Sequence, residues 1–287
     1  MTLSNRMTLK TSSEHKFLVL RDSKPTWVER KNIVLGDYVL VNKNVIEKKR
    51  TLTFKGKEVE WDLFELLGWM IGDGWISVNE KGKRTITLFY HPIKEDQIIE
   101  EHLAICKKYG INAYLKVRHY SKEYIELEKE KAGFKSMIGY EKRVHICDYT
   151  FHQWLFNELG ITPSCEGKTV PSILFSANSE WRRAFLRGWF SADGCCSMSP
   201  NYKSRYISLT CSYNFLMSDA KLLLLSEGIK CTGYKAKRKV GKLGNVTQDN
   251  VLIIKEDKEL FMERIGFLHD YKICLLYTSP SPRDRQK

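Results

Sequence analysis

The amino-acid sequence predicts an α+β protein: two pseudo-symmetric αββαββα repeats preceded by a small all-β segment. Three observations carry that reading. A helical stretch ending in Asp-Gly occurs twice, at Asp73-Gly74 and Asp193-Gly194, 120 positions apart. A matching succession of helical and strand-like periodicities follows each copy, the signature of an internal duplication. The residues before the first copy alternate instead with the two-residue period of strands and are broken by turn formers.

Residues 15–20 and 33–41 read as short strands, with Asp22, Ser23 and Pro25 turning between them. A charged stretch around Glu47, Lys48, Lys49 and Arg50, then Lys55-Gly56-Lys57, reads as a linker. The expected divisions are therefore 1–45 for the β-rich start, 46–60 for the linker, 61–167 for the first repeat and 168–273 for the second. In the first repeat a helix over 61–72 leads to strands at 75–78 and 85–89, a helix over 94–109 and the stop Gly110. Strands at 113–117 and 143–146 and a helix over 149–159, stopped by Gly160, complete it. The second repeat runs through a helix at 180–192, a strand at 206–210, a helix at 215–227 and Gly228. Strands at 230–237 and 246–254, then a helix at 258–265 before Gly266, follow. Residues 121–142, with Glu126, Glu128, Lys129, Glu130 and Lys131, have no counterpart in the second repeat and read as an inserted loop.

With 287 residues and 43% hydrophobic content, the chain can bury one large core or two modest ones. Its 47 Lys and Arg against 34 Asp and Glu give a formal charge of +13, which favours a polyanionic partner through phosphate contacts and counterion release. Eight cysteines occur without the Cys-x-x-Cys pairing of a zinc site, and Cys195 and Cys196 are adjacent. They read as reduced core residues. Apolar runs such as 222–225 are far too short for a bilayer, and no signal-peptide apolar region is present. The expectation is an intracellular, cytoplasmic protein without a membrane partner.

The two Asp-Gly stretches share Gly68 and Gly188, Trp69 and Trp189, Asp73 and Asp193, and Gly74 and Gly194 at matching offsets. Gly68 and Gly72, like Gly188 and Ala192, stand one helical turn apart, so each helix carries a strip of small residues that permits close backbone approach. Gly74 and Gly194 suit a left-handed C-cap. An acid at a helix C-terminus faces the negative end of the macrodipole. Two such acids brought together raise each other's proton affinity unless a divalent cation neutralises them, and phosphodiester hydrolysis uses such cations.

These residues resemble the LAGLIDADG, or dodecapeptide (DOD-type), homing endonucleases over roughly residues 61–273. Ile71 and Ser191 stand where the family name carries an earlier acid; the final acid is present in both copies. The resemblance implies a magnesium-dependent endonuclease, with manganese as an alternative ion, that makes a double-strand break in a long asymmetric DNA site. It implies a monomer with internal pseudo-twofold symmetry, whose sheets form a β-saddle over successive major grooves. Asp73, Asp193, Gly72 and Ala192 are the expected metal ligands. Lys168 lies in Lys168-Thr169-Val170-Pro171, which resembles the family's Lys-x-x-Pro element and implies a lysine at the active site. Lys272 holds the matching place after Gly266, with Lys235 or Lys237 as substitutes. Lys116 and Arg118 in the first repeat, with Lys230, Lys235, Lys237, Arg238 and Lys239 in the second, are the expected DNA-binding residues. A catalytically inactive nucleic-acid-binding protein of the same fold, an RNA-splicing maturase or a DNA-binding regulator, is the rival reading.

Ser12-Ser13-Glu14-His15, followed by 17–19 and by Leu35-Gly36-Asp37-Tyr38-Val39, resembles the Thr-x-x-His block of an intein (Hint) splicing domain. That resemblance implies that His15 assists the first acyl shift, with Ser12 at the Thr position. An N-terminal nucleophile and a terminal His-Asn pair are missing, so the expectation is a truncated splicing domain that does not splice. Residues 274–287 resemble translated sequencing adapter: TGT CTC TTA TAC ACA TCT back-translates 274–279.

Overall fold

A computed structural model describes residues 1–3, 9–41, 50–78, 84–132, 138–161, 168–198, 205–240 and 245–277. Glu47, Lys48, Lys49, Gly167 and residues 278–287 lie outside the described residues.

Strands β1 (Lys16–Arg21), β2 (Lys24–Glu29) and β3 (Tyr38–Val39) form an antiparallel sheet in the order β2-β1-β3. The sequence reading gives 22–25 to a turn, whereas the reversal needs only Asp22 and Ser23, at φ 49° and 61°. Pro25 sits inside β2, which its position at the sheet edge allows. Of the expected strand at 33–41 only Tyr38–Val39 pairs. Asp37 accepts from the Val34 amide at 2.9 Å and from Arg21 Nε at 2.9 Å, and these side-chain bonds curl the segment into a turn.

The expected linker contains a hairpin, β4 (Thr53–Phe54) and β5 (Lys57–Glu58), turned through Lys55 and Gly56 at positive φ. Phe54 and Val59 are buried in the core. Lys55 Nζ bonds Gly110 O and Asp148 Oδ2, both at 2.7 Å. The run of charges in this stretch hides two apolar side chains that anchor it.

Helix α1 (Trp61–Asp73) is followed by β6 (Gly74–Val78), β7 (Arg84–Tyr90), α2 (Asp96–Lys108) and β8 (Ala113–His119). Then come α3 (Lys122–Ala132), β9 (Tyr140–Ile146) and α4 (Tyr149–Leu159). The first half of the expected inserted loop is thus helical, because a run of Glu and Lys favours a helix between two paired strands. After a short 3-10 turn at Ser172–Phe175 the chain enters α5 (Ser179–Asp193), β10 (Gly194–Met198), β11 (Arg205–Cys211) and α6 (Asn214–Ser226). It closes with β12 (Thr232–Val240), β13 (Asn245–Ile254), α7 (Lys258–Arg264) and α8 (Asp270–Tyr277). The two four-stranded antiparallel sheets have the orders β6-β7-β9-β8 and β10-β11-β13-β12, the same connectivity in each half. Gly110, Gly160, Gly228 and Gly266 all have φ between 63° and 76°, the left-handed geometry expected of helix stops. Helix α8 runs on through 274–277, where Leu276 is buried. A helix begun at Asp270 continues through Cys-Leu-Leu-Tyr whatever the origin of those residues.

One core joins the halves through α1 and α5. A Cβ built on Gly68 would lie 2.0 Å from Phe185 O and 2.8 Å from Trp189 N; one on Gly188 would lie 2.0 Å from Glu65 O and 2.9 Å from Trp69 N. The contacts are reciprocal: Glu65 and Phe185, like Trp69 and Trp189, are themselves 120 positions apart. Only glycine lets the two backbones touch at this crossing. The pair is also held by Arg187, whose guanidinium bonds Glu65 across the crossing. Gly188→Ala should therefore destabilise by about 3 kcal/mol or more in thermal or urea melts, whereas Gly139→Ala, with its nearest neighbour 3.7 Å from the new Cβ, should change the melt little. Equal effects would refute the crossing as the constraint.

Candidate active site

Asp73 and Asp193 are the last residues of α1 and α5. The crossing carries these two ends together: a Cβ on Gly72 would sit 2.5 Å from the Ala192 Cβ and 3.3 Å from the Asp193 carboxyl carbon. The glycines that follow do not adopt the left-handed cap the sequence suggests. Gly74 and Gly194 are extended, with φ −105° and −78°. Their need for glycine is steric, since a Cβ at either would come within 2.2 Å of Met70 O or Phe190 O. The chain passes straight from helix into β6 or β10, without a loop to shift the acid.

The helix-end carbonyls are met by lysines instead. Lys168 Nζ donates to Ile71 O at 3.0 Å and Gly72 O at 3.1 Å. Lys272 Nζ donates to Ser191 O and, at 2.8 Å, to Gly194 O. Each ammonium thus takes the carbonyl two residues before an acid and stands at the negative end of a helix dipole. Lys272 is buried in this position. Of the substitutes for it, Lys235 and Lys237 lie on β12, exposed.

Burial and the nearby Asp73 charge push the Asp193 carboxyl up to about 6, against the pull of Lys168 and Lys272. Asp73 is also raised, by burial and then by Glu95. Lys272 is lowered by burial, although Glu95 and Asp73 favour its charge. The two lysines therefore leave the acid pair incompletely compensated. Among the described residues no group of three or more His, Cys, Asp and Glu forms a metal cage. Two carboxylates with adjacent backbone carbonyls make an open donor set, which fits a hard divalent cation whose other ligands are water and substrate phosphates. Of the expected carbonyl ligands, that of Gly72 already accepts from Lys168.

Glu95 and His269 escape the sequence reading. Glu95 Oε1 meets His269 Nε2 at 2.7 Å, and Glu95 Oε2 accepts from the His91 amide at 2.6 Å. Burial works against the Glu95 charge, but these bonds outweigh it and hold the group below its ordinary value. Repeat logic could not find Glu95, because α2 is N-capped by Glu95 and α6 by Tyr213.

The strand registers sort the basic residues. Trp75, Thr87, His145 and Tyr114 line one row across the first sheet on the face opposite the buried Ile86, Leu88, Val144 and Ile146. Lys116 and Arg118 share that outer face with Tyr114. Glu141 opposes Arg118 and pairs with Arg143, so part of the charge is answered locally. On the second sheet the corresponding face carries Cys195, Ser208 and Tyr234. Lys235 and Lys237 alternate to the face of Gly233, which pairs with buried Leu252, so they do not share the face of Tyr234. The side chains of Arg238 and Lys239 lie outside the described residues. Lys230 precedes β12 and is exposed, its amide bonded to Asp257 at 2.6 Å. Ser12 and His15 are exposed beside β1, where the His15 ring meets Phe17 edge-on.

The elevated Asp193 affinity has a stability consequence. Between the ordinary carboxylate value and about 6 the folded chain binds the proton that the unfolded chain releases, so this group's contribution falls as pH rises through that window. The melting temperature of the protein relative to that of Asp193→Asn should decline from pH 4.5 to 7.5. A constant difference would refute the shift.

The chain is 24% identical over 292 residues to the ribonucleoside-diphosphate reductase NrdEB subunit alpha of Bacillus subtilis (strain 168), covering 97% of this chain and 25% of that protein. It is 29% identical over 261 residues to the DNA polymerase of Thermococcus hydrothermalis, covering 88% of this chain and 14% of the polymerase. It thus spans a quarter or less of the length of these relatives. Among solved structures it is similar to the homing endonuclease I-WcaI bound to its DNA recognition sequence, with TM-score 0.49, 16% identity and coverage of 79% and 89% of the two chains. Residues 180–266, which contain Asp193 and the second sheet, match the family described as a LAGLIDADG-like domain.

Proposed function

We propose that the chain is a site-specific homing endonuclease of the LAGLIDADG, DOD type, hydrolysing phosphodiester bonds in both strands of a long asymmetric DNA duplex. The observation that carries this reading is the convergence of Asp73 and Asp193 at adjoining helix ends, each helix capped by a lysine. Residues 61–167 and 168–273 act as two pseudo-symmetric repeats within one monomer, one acid assigned to each strand. Magnesium, or manganese in its place, held by Asp73 and Asp193 would supply a lowered water pKa and neutralise leaving-group charge. The carboxylates orient the attacking water's position relative to the phosphate. Lys168 and Lys272 hold the helix ends in place and present ammonium charge toward a phosphorane as its negative charge develops.

The outer faces of the two sheets, with Lys116, Arg118 and Tyr114 in the first half and Tyr234 in the second, are assigned to the duplex, together with Arg238 of β12. β-Strands can present side chains to base edges in the major groove. Lys230, Lys235, Lys237 and Lys239 are assigned to phosphates around that surface, which position the protein without reading bases. The setting is that of an inserted element. The same segment aligns with small fractions of two differently named proteins, a reductase subunit and a DNA polymerase. The N-terminal β1–β3 sheet with Ser12 and His15 is assigned to an intein (Hint) splicing domain.

The test uses a duplex target selected by the wild-type chain from a randomised library, cut in the presence of magnesium. Asp73→Asn and Asp193→Asn should each abolish double-strand cleavage while duplex affinity in calcium stays within a few-fold. Lys168→Met and Lys272→Met should each slow cleavage by about a hundredfold. Cleavage by the double Asn variant would refute the assignment, and preference for structured RNA without cleavage would favour the maturase reading.

A further inference from the structure

Lys272 does not hold its place through α5 alone. Its helix, α8, starts on a strap, residues 267–270, that is fastened to both halves of the molecule. The Leu268 amide donates to Ser191 Oγ at 2.8 Å, on α5. His269 reaches across to Glu95 at 2.7 Å, a residue 174 positions earlier that caps α2 of the first half. The His269 ring also rests on Trp69 of α1, with ring centroids 5.7 Å apart. Lys94, beside Glu95, places its ammonium 5.0 Å from the centroid of the Tyr271 ring. The first turn of α8 then hangs from the same residue: the amides of Lys272 and Ile273 donate to His269 O at 3.2 and 3.3 Å.

Glu95 and His269 are both buried. Inside the fold a charge-assisted bond of this length is strong, and losing one partner leaves the other without its bond.

We infer that Glu95 is a positioning residue: through His269 it fixes the strap that sets the Lys272 ammonium against the end of α5, making one of the two strand cuts depend on a residue of the opposite half. The inference rests on the endonuclease reading for its catalytic consequence. The clasp itself is independent of it. Among the described residues the Glu95 carboxylate hydrogen-bonds His91, in the loop before α2, and His269, in the strap, and neither acid.

Two measurements test it on the full chain. Amide hydrogen exchange reads the clasp without any cleavage. Glu95→Gln and His269→Gln should each speed exchange at Lys272 and Ile273 by about tenfold, while amides of α1 stay as in the wild type, and Glu95→Asp should restore part of the protection. Strand-specific cleavage of the selected duplex, labelled at both ends, reads the consequence. Glu95→Gln should slow the same strand that Lys272→Met slows, by about tenfold, leave the strand that Lys168→Met slows near its wild-type rate, and add nothing in combination with Lys272→Met. A purely structural role would slow both strands alike. Unchanged exchange at Lys272 and Ile273 in both Gln variants would overturn the clasp, as would a wild-type strand ratio in Glu95→Gln or a Lys272→Met that slows both strands equally. If the wild-type chain cuts nothing, the endonuclease reading fails, and exchange alone decides the clasp. Should Glu95→Gln fail to fold, His269→Gln carries the same comparison.

Discussion

The crossing of α1 and α5 is the constraint on which the remainder of the structure depends. Gly68 and Gly188 allow each backbone to rest against the other's carbonyl and amide, at separations that no Cβ would permit. Close approach at this point brings the C-terminal ends of both helices together and so brings Asp73 beside Asp193. The same contact places Glu65 within reach of Arg187. Fully buried Trp69 and Trp189 complete the packing around it. A helix pair spaced by ordinary side chains, 8–10 Å apart, would leave the acids too far apart to share a site.

Placing two acids at the negative ends of two helices runs against the helix macrodipole and against their mutual repulsion. The fold offsets this with lysines brought in from distant parts of the chain, Lys168 from the connection between halves and Lys272 from α8. Compensation is partial, as the raised affinities of both carboxyls indicate. A site that is electrostatically unfinished in isolation is suited to a cation and to the arrival of phosphate oxygens. Glu95 raises Asp73 and favours the charge of Lys272, so the symmetry of the backbone does not extend to the electrostatics.

The recurring helix motif was legible because its carriers are local. Gly, Trp, Asp and Gly recur at one offset, and the helix stops at Gly110, Gly160, Gly228 and Gly266 take the positive φ that a glycine after a helix implies. Most strand and helix positions followed within a few residues, whereas β10 and α8 were not expected. Errors arose where side-chain chemistry outweighed composition. Charged residues disguised a hairpin anchored by Phe54 and Val59, a Glu- and Lys-rich stretch formed α3, and Asp37 curled a segment that alternates like a strand. Gly74 and Gly194 were correctly singled out for the wrong reason, since close approach to a carbonyl, not a left-handed turn, requires them.

By itself the sequence determined the repeated helix, its terminal acids and the lysines at matching places, because a duplicated pattern survives without knowledge of contacts. Only the tertiary structure decided how near the acids come, which carbonyls the lysines cap and which face each basic residue takes. It alone revealed the Glu95–His269 pair. That bond joins residues 174 positions apart, and no local periodicity or repeat carries information about it. Its existence follows from how the two halves pack.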